Sequence, residues 1–131
     1  MPDYTILNLG DVEDVAPKHG MDGIESRFAR NPLGLERSGL SYYKMAPDFR
    51  LPFGHRHAEQ EEVYVVLEGS ATLVAGGREY PLEPLRLARV APGITRKILP
   101  GDKGVTVLCI GGIPGAAYTP PAFTEEGAPW R

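Results

Sequence analysis

GHRHAEQEEVYVVLEG, at residues 54–69, carries more structural information than any other stretch of this sequence. His55 and His57 are two residues apart, and an extended chain points both imidazole rings to the same face. Glu62 opens the apolar run that follows, and a short turn can return its carboxylate to that face. Two imidazoles and one carboxylate form a donor set suited to Fe(II), Mn(II), Zn(II) or Ni(II). The alternative is that both histidines are solvated in a polar loop.

Short strands separated by turn residues are predicted on both sides of this stretch. The best of them, residues 62–67, reads EVYVVL, and Glu68-Gly69 is predicted to follow it as a turn. Gly76-Gly77 is a strong hairpin signal because glycine reaches the positive φ that two-residue turns require. The other predicted strands are 40–46, 71–75, 78–82, 85–90, 96–99 and 105–110, with turns at Pro92-Gly93 and Pro100-Gly101-Asp102.

The N-terminal third gives weaker signals. Residues 4–9 are predicted as an edge strand, and residues 22–30 as a short helical turn that Asn31-Pro32 ends. With 16 glycines and 13 prolines scattered over 131 residues, the whole pattern favours an all-β sandwich or barrel. We predict one domain over residues 1–131, with an N-terminal arm at 1–38, a barrel core at about 40–110 and a proline-rich tail at 111–131.

Composition excludes several classes of function. A net charge of −3 gives no electrostatic reason to expect a nucleic-acid partner, and no apolar run approaches membrane-spanning length. The N-terminus lacks the basic and apolar regions of a signal peptide. Cys109 is the single cysteine, so no internal disulfide can form, and a reducing, cytoplasmic location is the simpler expectation.

The strand at residues 62–67 is largely apolar on both faces. Val63, Val65 and Leu67 lie on one face, and Tyr64 and Val66 lie on the other beside Glu62. A strand covered on both faces lies between a barrel interior and a second layer, such as another sheet or subunit. We therefore expect a homodimer.

The ligand types, the spacing His55-x-His57-x4-Glu62-x6-Gly69 and the strand VYVVLEG resemble the first sequence motif of the cupins. This resemblance implies a double-stranded β-helix, or jelly-roll, barrel. It also selects Glu62 over Glu61 as the metal-binding carboxylate, and leaves Glu61 as a solvated rim charge or a partner for Arg56. The second cupin motif would run from Leu85 to Pro100, and only Gly93 and its proline-glycine turn agree with it.

The main departure from the cupin pattern is Arg96, at the place where metal-binding cupins usually have a third histidine. A protonated guanidinium has no lone pair for a metal. Arg96 therefore holds an anionic substrate beside a metal bound by His55, His57 and Glu62, or pairs with Glu62 in place of the metal, or points outward because the register differs. Tyr64 is expected to pack in the core or to line the pocket and contact substrate.

Two classes of function follow from the resemblance. The first is a metalloenzyme, of the oxidoreductase or isomerase type, that acts on a small anionic molecule. The second is a non-enzymatic cupin, with or without a metal, that binds a small ligand or senses it. His19 has no motif around it and is expected at the surface, and Cys109 is expected to be a buried, inert thiol.

Overall fold

Six antiparallel strands form the sheet of the computed structural model, which describes residues 3–52 and 54–117. Two 3-10 turns (Leu9–Asp11 and Pro17–His19) and a single helical turn, α1 (Arg30–Leu33), lie in the N-terminal part of the chain. The all-β prediction is confirmed. The strands are β1 (Ile24–Phe28), β2 (Gly39–Met45), β3 (Glu61–Ala75), β4 (Arg78–Leu82), β5 (Leu87–Val90) and β6 (Arg96–Gly112).

The strands pair in the order β1-β2-β6-β3-β4, and β5 pairs with β3 as well. The first part of β3 pairs with the last part of β6, where Val63 lies opposite Ile110. The second part of β3 pairs with the beginning of β6, where Ala75 lies opposite Arg96. Both long strands therefore contribute to two regions of the sheet.

The sheet folds back on itself to enclose an interior. Along a straight strand, Glu62 and Ala75 would be about 40 Å apart, at about 3.3 Å per residue. Arg96 lies opposite Ala75, yet its Nη2 atom is 2.9 Å from Glu62 Oε1. The two halves of β3 and β6 must therefore face each other, with Glu62 on one wall and Arg96 on the other.

Glycines make this fold-back possible. The pairing of β3 with β6 changes register between Val66 and Glu68 and again between Gly69 and Ala71. Gly69 has a φ of 77°, and a Cβ at this position would overlap the Gly104 carbonyl of β6. The predicted turn at Glu68-Gly69 is therefore wrong: the chain bends within one strand. The predicted turn at Pro100-Gly101-Asp102 is wrong for the same reason, since β6 runs through it.

The N-terminal predictions need the largest corrections. Residues 4–9 are not a strand; they lead into the first 3-10 turn, where Gly10 N–H donates to the Asn8 side chain at 2.7 Å. Residues 22–30 are mostly strand β1 instead of a helical turn. The helical turn α1 comes after it and ends at Gly34, whose φ is 76°. Residues 118–131 of the predicted tail lie outside the described residues.

A hydrophobic core fills the interior between the two parts of the sheet. Its members come from every strand, and five of them are Tyr43, Val66, Leu73, Ile98 and Val107. None of the helices in the described part of the chain has the length and apolar character needed to cross a membrane.

Candidate metal and ligand site

His55 and His57 lie on a short extended segment beside the beginning of β6. His55 and Arg96 form an isolated bridge, with His55 N–H donating to Arg96 O at 2.9 Å and Arg96 N–H donating to His55 O at 2.8 Å. The carbonyl of His57 accepts from Gly93 N–H at 2.7 Å. These backbone bonds attach the histidine segment to the Pro92-Gly93 turn and to β6, and so hold its backbone in place.

Both imidazole rings approach the carboxylate of Glu62. His57 Nε2 is 3.3 Å from Glu62 Oε1, and His55 Nε2 is 3.7 Å from the same oxygen. One ligand atom from each of the three residues lies within 4.8 Å of the others. His57 and Glu62 are buried, whereas the side chain of His55 keeps 16% of its surface exposed. The structure thus brings together the three residues that the motif spacing selects.

Arg96 reaches the same carboxylate from the opposite wall. Its Nη2 donates to Glu62 Oε1 at 2.9 Å, its Nη1 donates to the Ile94 carbonyl at 2.8 Å, and its Nε donates to Tyr64 Oη at 3.3 Å. The side chains of Arg96 and Glu62 are both fully buried. The possibility that Arg96 points outward is therefore wrong, and the contact with Glu62 is the one expected if the guanidinium pairs with that carboxylate.

Tyr64 is part of this polar cluster as well as of the core. Its hydroxyl donates to Glu62 Oε1 at 2.9 Å, while its ring is buried with the core residues. Burial raises the pKa of the Tyr64 hydroxyl well above its usual range. The phenol therefore keeps its proton and remains a hydrogen-bond donor to the carboxylate.

Gln60 belongs to the cluster, although we did not predict it. Its Nε2 donates to Glu62 Oε2 at 2.8 Å, and its side chain is buried. Gly111 of β6 leaves the space for it, because a Cβ there would lie 2.5 Å from Gln60 Nε2. The signal in the sequence is the spacing of two residues between Gln60 and Glu62, which places both on one face of an extended chain.

No protein-family model matches this sequence, and no curated protein matches it significantly. Solved structures do match. A cupin protein from Bacteroides fragilis is 21% identical over 92% of each chain, with a TM-score of 0.72. A sugar phosphate isomerase from a cupin superfamily of Silicibacter pomeroyi is 25% identical over 82% of this chain and 75% of that one, with a TM-score of 0.69. KdgF from Halomonas sp. is 16% identical over 86% of this chain and 94% of that one, with a TM-score of 0.64.

The chain has the cupin fold. The jelly-roll prediction is confirmed. The residues of the weak second motif can now be located on this barrel. Leu85, at the place where that motif begins, has a φ of 70° and is the one non-glycine residue with positive φ among those described. The backbone here adopts the left-handed conformation although the residue is leucine.

The donor set of this cupin barrel fits a divalent metal. Two ligand atoms that each lie about 2.1 Å from a metal are about 3 to 3.5 Å apart, close to the two Nε2–Oε1 distances. His55, His57 and Glu62 are the residues that would hold the ion. Glu62 Oε1 also accepts from Arg96 and Tyr64, so a metal would have to share this oxygen with two donors.

The three-residue donor set does not include the other residues singled out in the sequence. Glu61 faces outward and pairs with Arg89, at 2.9 Å, instead of with Arg56 as one alternative held. His19 is exposed at the end of the second 3-10 turn, as predicted. Cys109 is fully buried, and burial raises the pKa of its thiol to about 12. A thiol that keeps its proton is a poor nucleophile, as the sequence analysis expected.

Proposed function

We propose that the protein binds a small anionic molecule inside its barrel, at a divalent metal ion held by His55, His57 and Glu62. The observation that carries this proposal is the convergence of two imidazole Nε2 atoms on one buried carboxylate oxygen. The bound metal would act as a Lewis acid on an oxygen of the ligand. The ion is Fe, Mn, Zn or Ni, which are the metals that nitrogen and oxygen donors of this kind suit.

Arg96 and Tyr64 are the proposed ligand-binding side chains. A divalent ion next to one carboxylate and one guanidinium leaves net positive charge in a buried site, and this favours an anionic ligand. Arg96 is also always protonated and can bind a carboxylate or phosphate with two parallel hydrogen bonds. Its three present hydrogen bonds use three of its five N–H donors.

If the site is catalytic, we propose an isomerase or oxidoreductase acting on that anion. The Silicibacter pomeroyi neighbour is described as a sugar phosphate isomerase, and a sugar phosphate is a small anion of the required kind. The fold by itself does not choose between chemistries, so this reaction class rests on the charge of the site and on that one neighbour.

A metal-free binding barrel is the second candidate function, and a specific contact favours it. Arg96 Nη2 lies 2.9 Å from Glu62 Oε1 with both side chains fully buried, so the guanidinium already supplies a positive charge beside the carboxylate. In this version the ion pair takes the place of the metal, and the protein binds or senses a small ligand without turnover.

Calorimetric titration with Mn²⁺, Ni²⁺ and Zn²⁺ separates the two candidates. The metal-dependent function predicts one site per chain in the wild type, loss of that site in His57→Ala, and no change in His19→Ala, the exposed control histidine. In Arg96→Gln we expect tighter binding, because a cation that competes for Glu62 Oε1 has been removed. Binding in Arg96→Gln together with none in the wild type would support the metal-free function.

We also propose a homodimer in the cytoplasm. The outer face of β3 and β6 presents apolar side chains to solvent, with Leu67 44% and Ile110 42% exposed. Val63 lies directly opposite Ile110 on this face, so the apolar residues are neighbours across the two strands. A patch of this kind on a sheet is a typical place for a second copy of the chain to bind. The cytoplasmic location still rests on the single cysteine alone.

A further inference from the structure

The two oxygens of the Glu62 carboxylate have different partners. Oε1 is the oxygen that the histidines approach, with His57 Nε2 at 3.3 Å and His55 Nε2 at 3.7 Å. Oε2 accepts a hydrogen bond from Gln60 Nε2 at 2.8 Å, and both of these side chains are buried. An ionised carboxylate only accepts hydrogen bonds, so Gln60 must face it with its NH2 group. Gln60 therefore binds the oxygen other than the one on which the two histidines converge.

This hydrogen bond helps to fix the orientation of the carboxylate. The last torsion angle of a glutamate side chain has a broad, roughly two-fold distribution, so the two oxygens can exchange unless hydrogen bonds hold them. On Glu62, Oε1 is held by Arg96 and Tyr64, both at 2.9 Å, and Oε2 is held by Gln60. The carboxylate therefore presents Oε1 to the imidazole Nε2 atoms and keeps Oε2 on the amide.

The space for the Gln60 side chain comes from Gly111. This glycine is buried and lies directly opposite Glu62 in the pairing of β3 with β6. A Cβ on Gly111 would lie 2.5 Å from Gln60 Nε2 and 2.8 Å from its Cδ. Gly111 does not have a positive φ, so its backbone conformation does not require glycine. A glycine is needed here for space, because any side chain would push the amide away from Glu62.

Packing alone does not explain a glutamine at position 60. Gln60 Oε1 is buried and has no hydrogen-bond partner among the described residues. A buried acceptor without a partner is unfavourable, and methionine would fill the same space without one. What the amide adds over such an apolar side chain is the hydrogen bond from Nε2 to Glu62 Oε2.

We propose that Gln60 is a positioning residue that makes Glu62 a metal ligand through one oxygen, Oε1. This inference rests on the proposed metal site of His55, His57 and Glu62. With Oε2 held by the amide, Glu62 occupies a single coordination position, and the remaining positions are open to the anionic ligand. Replacing a group that orients a metal-binding side chain typically weakens metal affinity by about 10- to 100-fold.

Gln60→Met tests this role because it keeps the length of the side chain and removes the donor. Calorimetric titration with Mn²⁺ should give one site per chain in the wild type and about tenfold weaker binding in Gln60→Met. The visible absorption spectrum of the Co²⁺-loaded protein should also change, because it depends on the number and arrangement of the ligand atoms. Glu59→Met is the matched control, since Glu59 is the exposed neighbour of Gln60 and should keep the wild-type affinity and spectrum.

Gly111→Ala tests the same contact from the neighbouring strand. Its Cβ should displace the amide from Glu62, so we expect the loss of Mn²⁺ affinity seen in Gln60→Met. In Gln60→Ala the amide is already absent, and adding Gly111→Ala should weaken binding no further. Additive losses in the double variant would mean that Gly111 affects the site by another route, which would contradict the proposal.

Affinity and spectrum together distinguish this role from a purely structural one. Equal affinities and equal Co²⁺ spectra in the wild type and Gln60→Met would overturn the role of Gln60. Weaker binding with an unchanged spectrum would overturn it too, because Glu62 would then bind the ion in the same way without the amide. Absence of Mn²⁺ binding from the wild type would instead overturn the proposed function, and the role of Gln60 with it.

A crystal structure of the Mn²⁺-loaded wild type checks the proposal without any variant, so the test does not depend on whether the variants fold. We expect Glu62 Oε1 on the ion and Oε2 still on Gln60 Nε2. Both carboxylate oxygens on the ion, or Oε2 alone, would contradict the proposed role of Gln60 while leaving the metal site itself in place.

Discussion

The carboxylate of Glu62 organises the interior of the barrel. A buried carboxylate without partners would be strongly destabilising, and this one accepts from Arg96, Tyr64 and Gln60. His57 Nε2 approaches the same group at 3.3 Å. Replacing Glu62 or one of its donors therefore affects both the stability of the fold and the chemistry of the site.

The first prediction concerns Arg96. In metal-free protein, Arg96→Gln leaves the carboxylate of Glu62 buried without its cation, so we expect the free energy of unfolding to fall by about 3 kcal/mol. Thermal denaturation measures this. The double variant Glu62→Gln/Arg96→Gln should recover part of the loss, since neither charge remains. Equal stability of wild type and Arg96→Gln would mean that the ion pair does not hold the two walls together.

A second prediction concerns Cys109 and alkaline pH. Burial raises the pKa of its thiol to about 12, from 9.0 in an exposed chain. Between these values the unfolded chain loses the proton and the folded chain keeps it. Stability is therefore fully present below about pH 9 and declines as the pH rises towards 12, by about 1 kcal/mol per pH unit from this group.

Urea denaturation between pH 8 and 11 checks this prediction. Cys109→Ala should show a shallower decline than the wild type, whatever its stability at pH 8. Tyr4→Phe, which removes an exposed hydroxyl, is the control and should keep the wild-type slope. Parallel declines in Cys109→Ala and the wild type would contradict the prediction.

The sequence predicted the part of the candidate site that depends on the spacing of residues close together in the chain. His55, His57 and Glu62 lie within eight residues of one another, and an extended chain determines which of them share a face. The contact of Glu62 with Arg96 was one of three possibilities, because the two residues are 34 positions apart and only the fold-back of the sheet brings them together. Gln60 was missed because its role depends on the space left by Gly111.

At the scale of secondary structure, the two wrongly predicted turns have a common cause. Glycines and prolines usually end strands, so Glu68-Gly69 and Pro100-Gly101-Asp102 were predicted as turns. In a sheet that folds back on itself, the same residues permit a sharp bend while the pairing continues on both sides. β1 was missed because its strand conformation depends on pairing with β2, from Ile24 opposite Met45 to Phe28 opposite Ser41.

The third prediction tests the bend in β3. Gly69 and Gly76 both have positive φ, but a Cβ on Gly69 would overlap the Gly104 carbonyl, whereas a Cβ on Gly76 would meet nothing within 4 Å. We expect Gly76→Ala to cost about 1 kcal/mol from backbone strain alone, and Gly69→Ala to cost at least about 3 kcal/mol. Chemical denaturation measures both values. Similar costs would mean that the close approach of the two strands is unimportant.

The fourth prediction belongs to the whole molecule and to its proposed dimer. Ile110→Lys places a charge in the apolar outer face of β3 and β6, and should convert a dimer into a monomer as judged by light scattering after gel filtration. Ile6→Lys is the matched control, because Ile6 is 89% exposed in the N-terminal segment and belongs to neither strand. A wild-type protein that is monomeric at all concentrations would contradict the proposed homodimer.

The sequence predicts the fold of this molecule more securely than it predicts the chemistry of the candidate site. The motif at residues 54–69 was sufficient to indicate a jelly-roll barrel, because its ligand spacing and its strand together resemble one family closely. Arg96 stands where a third histidine is usual in that family, so the metal content of the barrel had to remain open at that point. The structure leaves two possibilities for Glu62. Its carboxylate binds a metal ion, or it binds only the guanidinium of Arg96.

The most direct test is the metal content of untagged wild-type protein, His57→Ala and His19→Ala, measured by plasma mass spectrometry after purification and after reconstitution. We predict close to one divalent metal per chain in the wild type and in His19→Ala, and none in His57→Ala. Absence of metal from the reconstituted wild type, or equal metal in His57→Ala, would contradict the proposal that His55, His57 and Glu62 form a metal site.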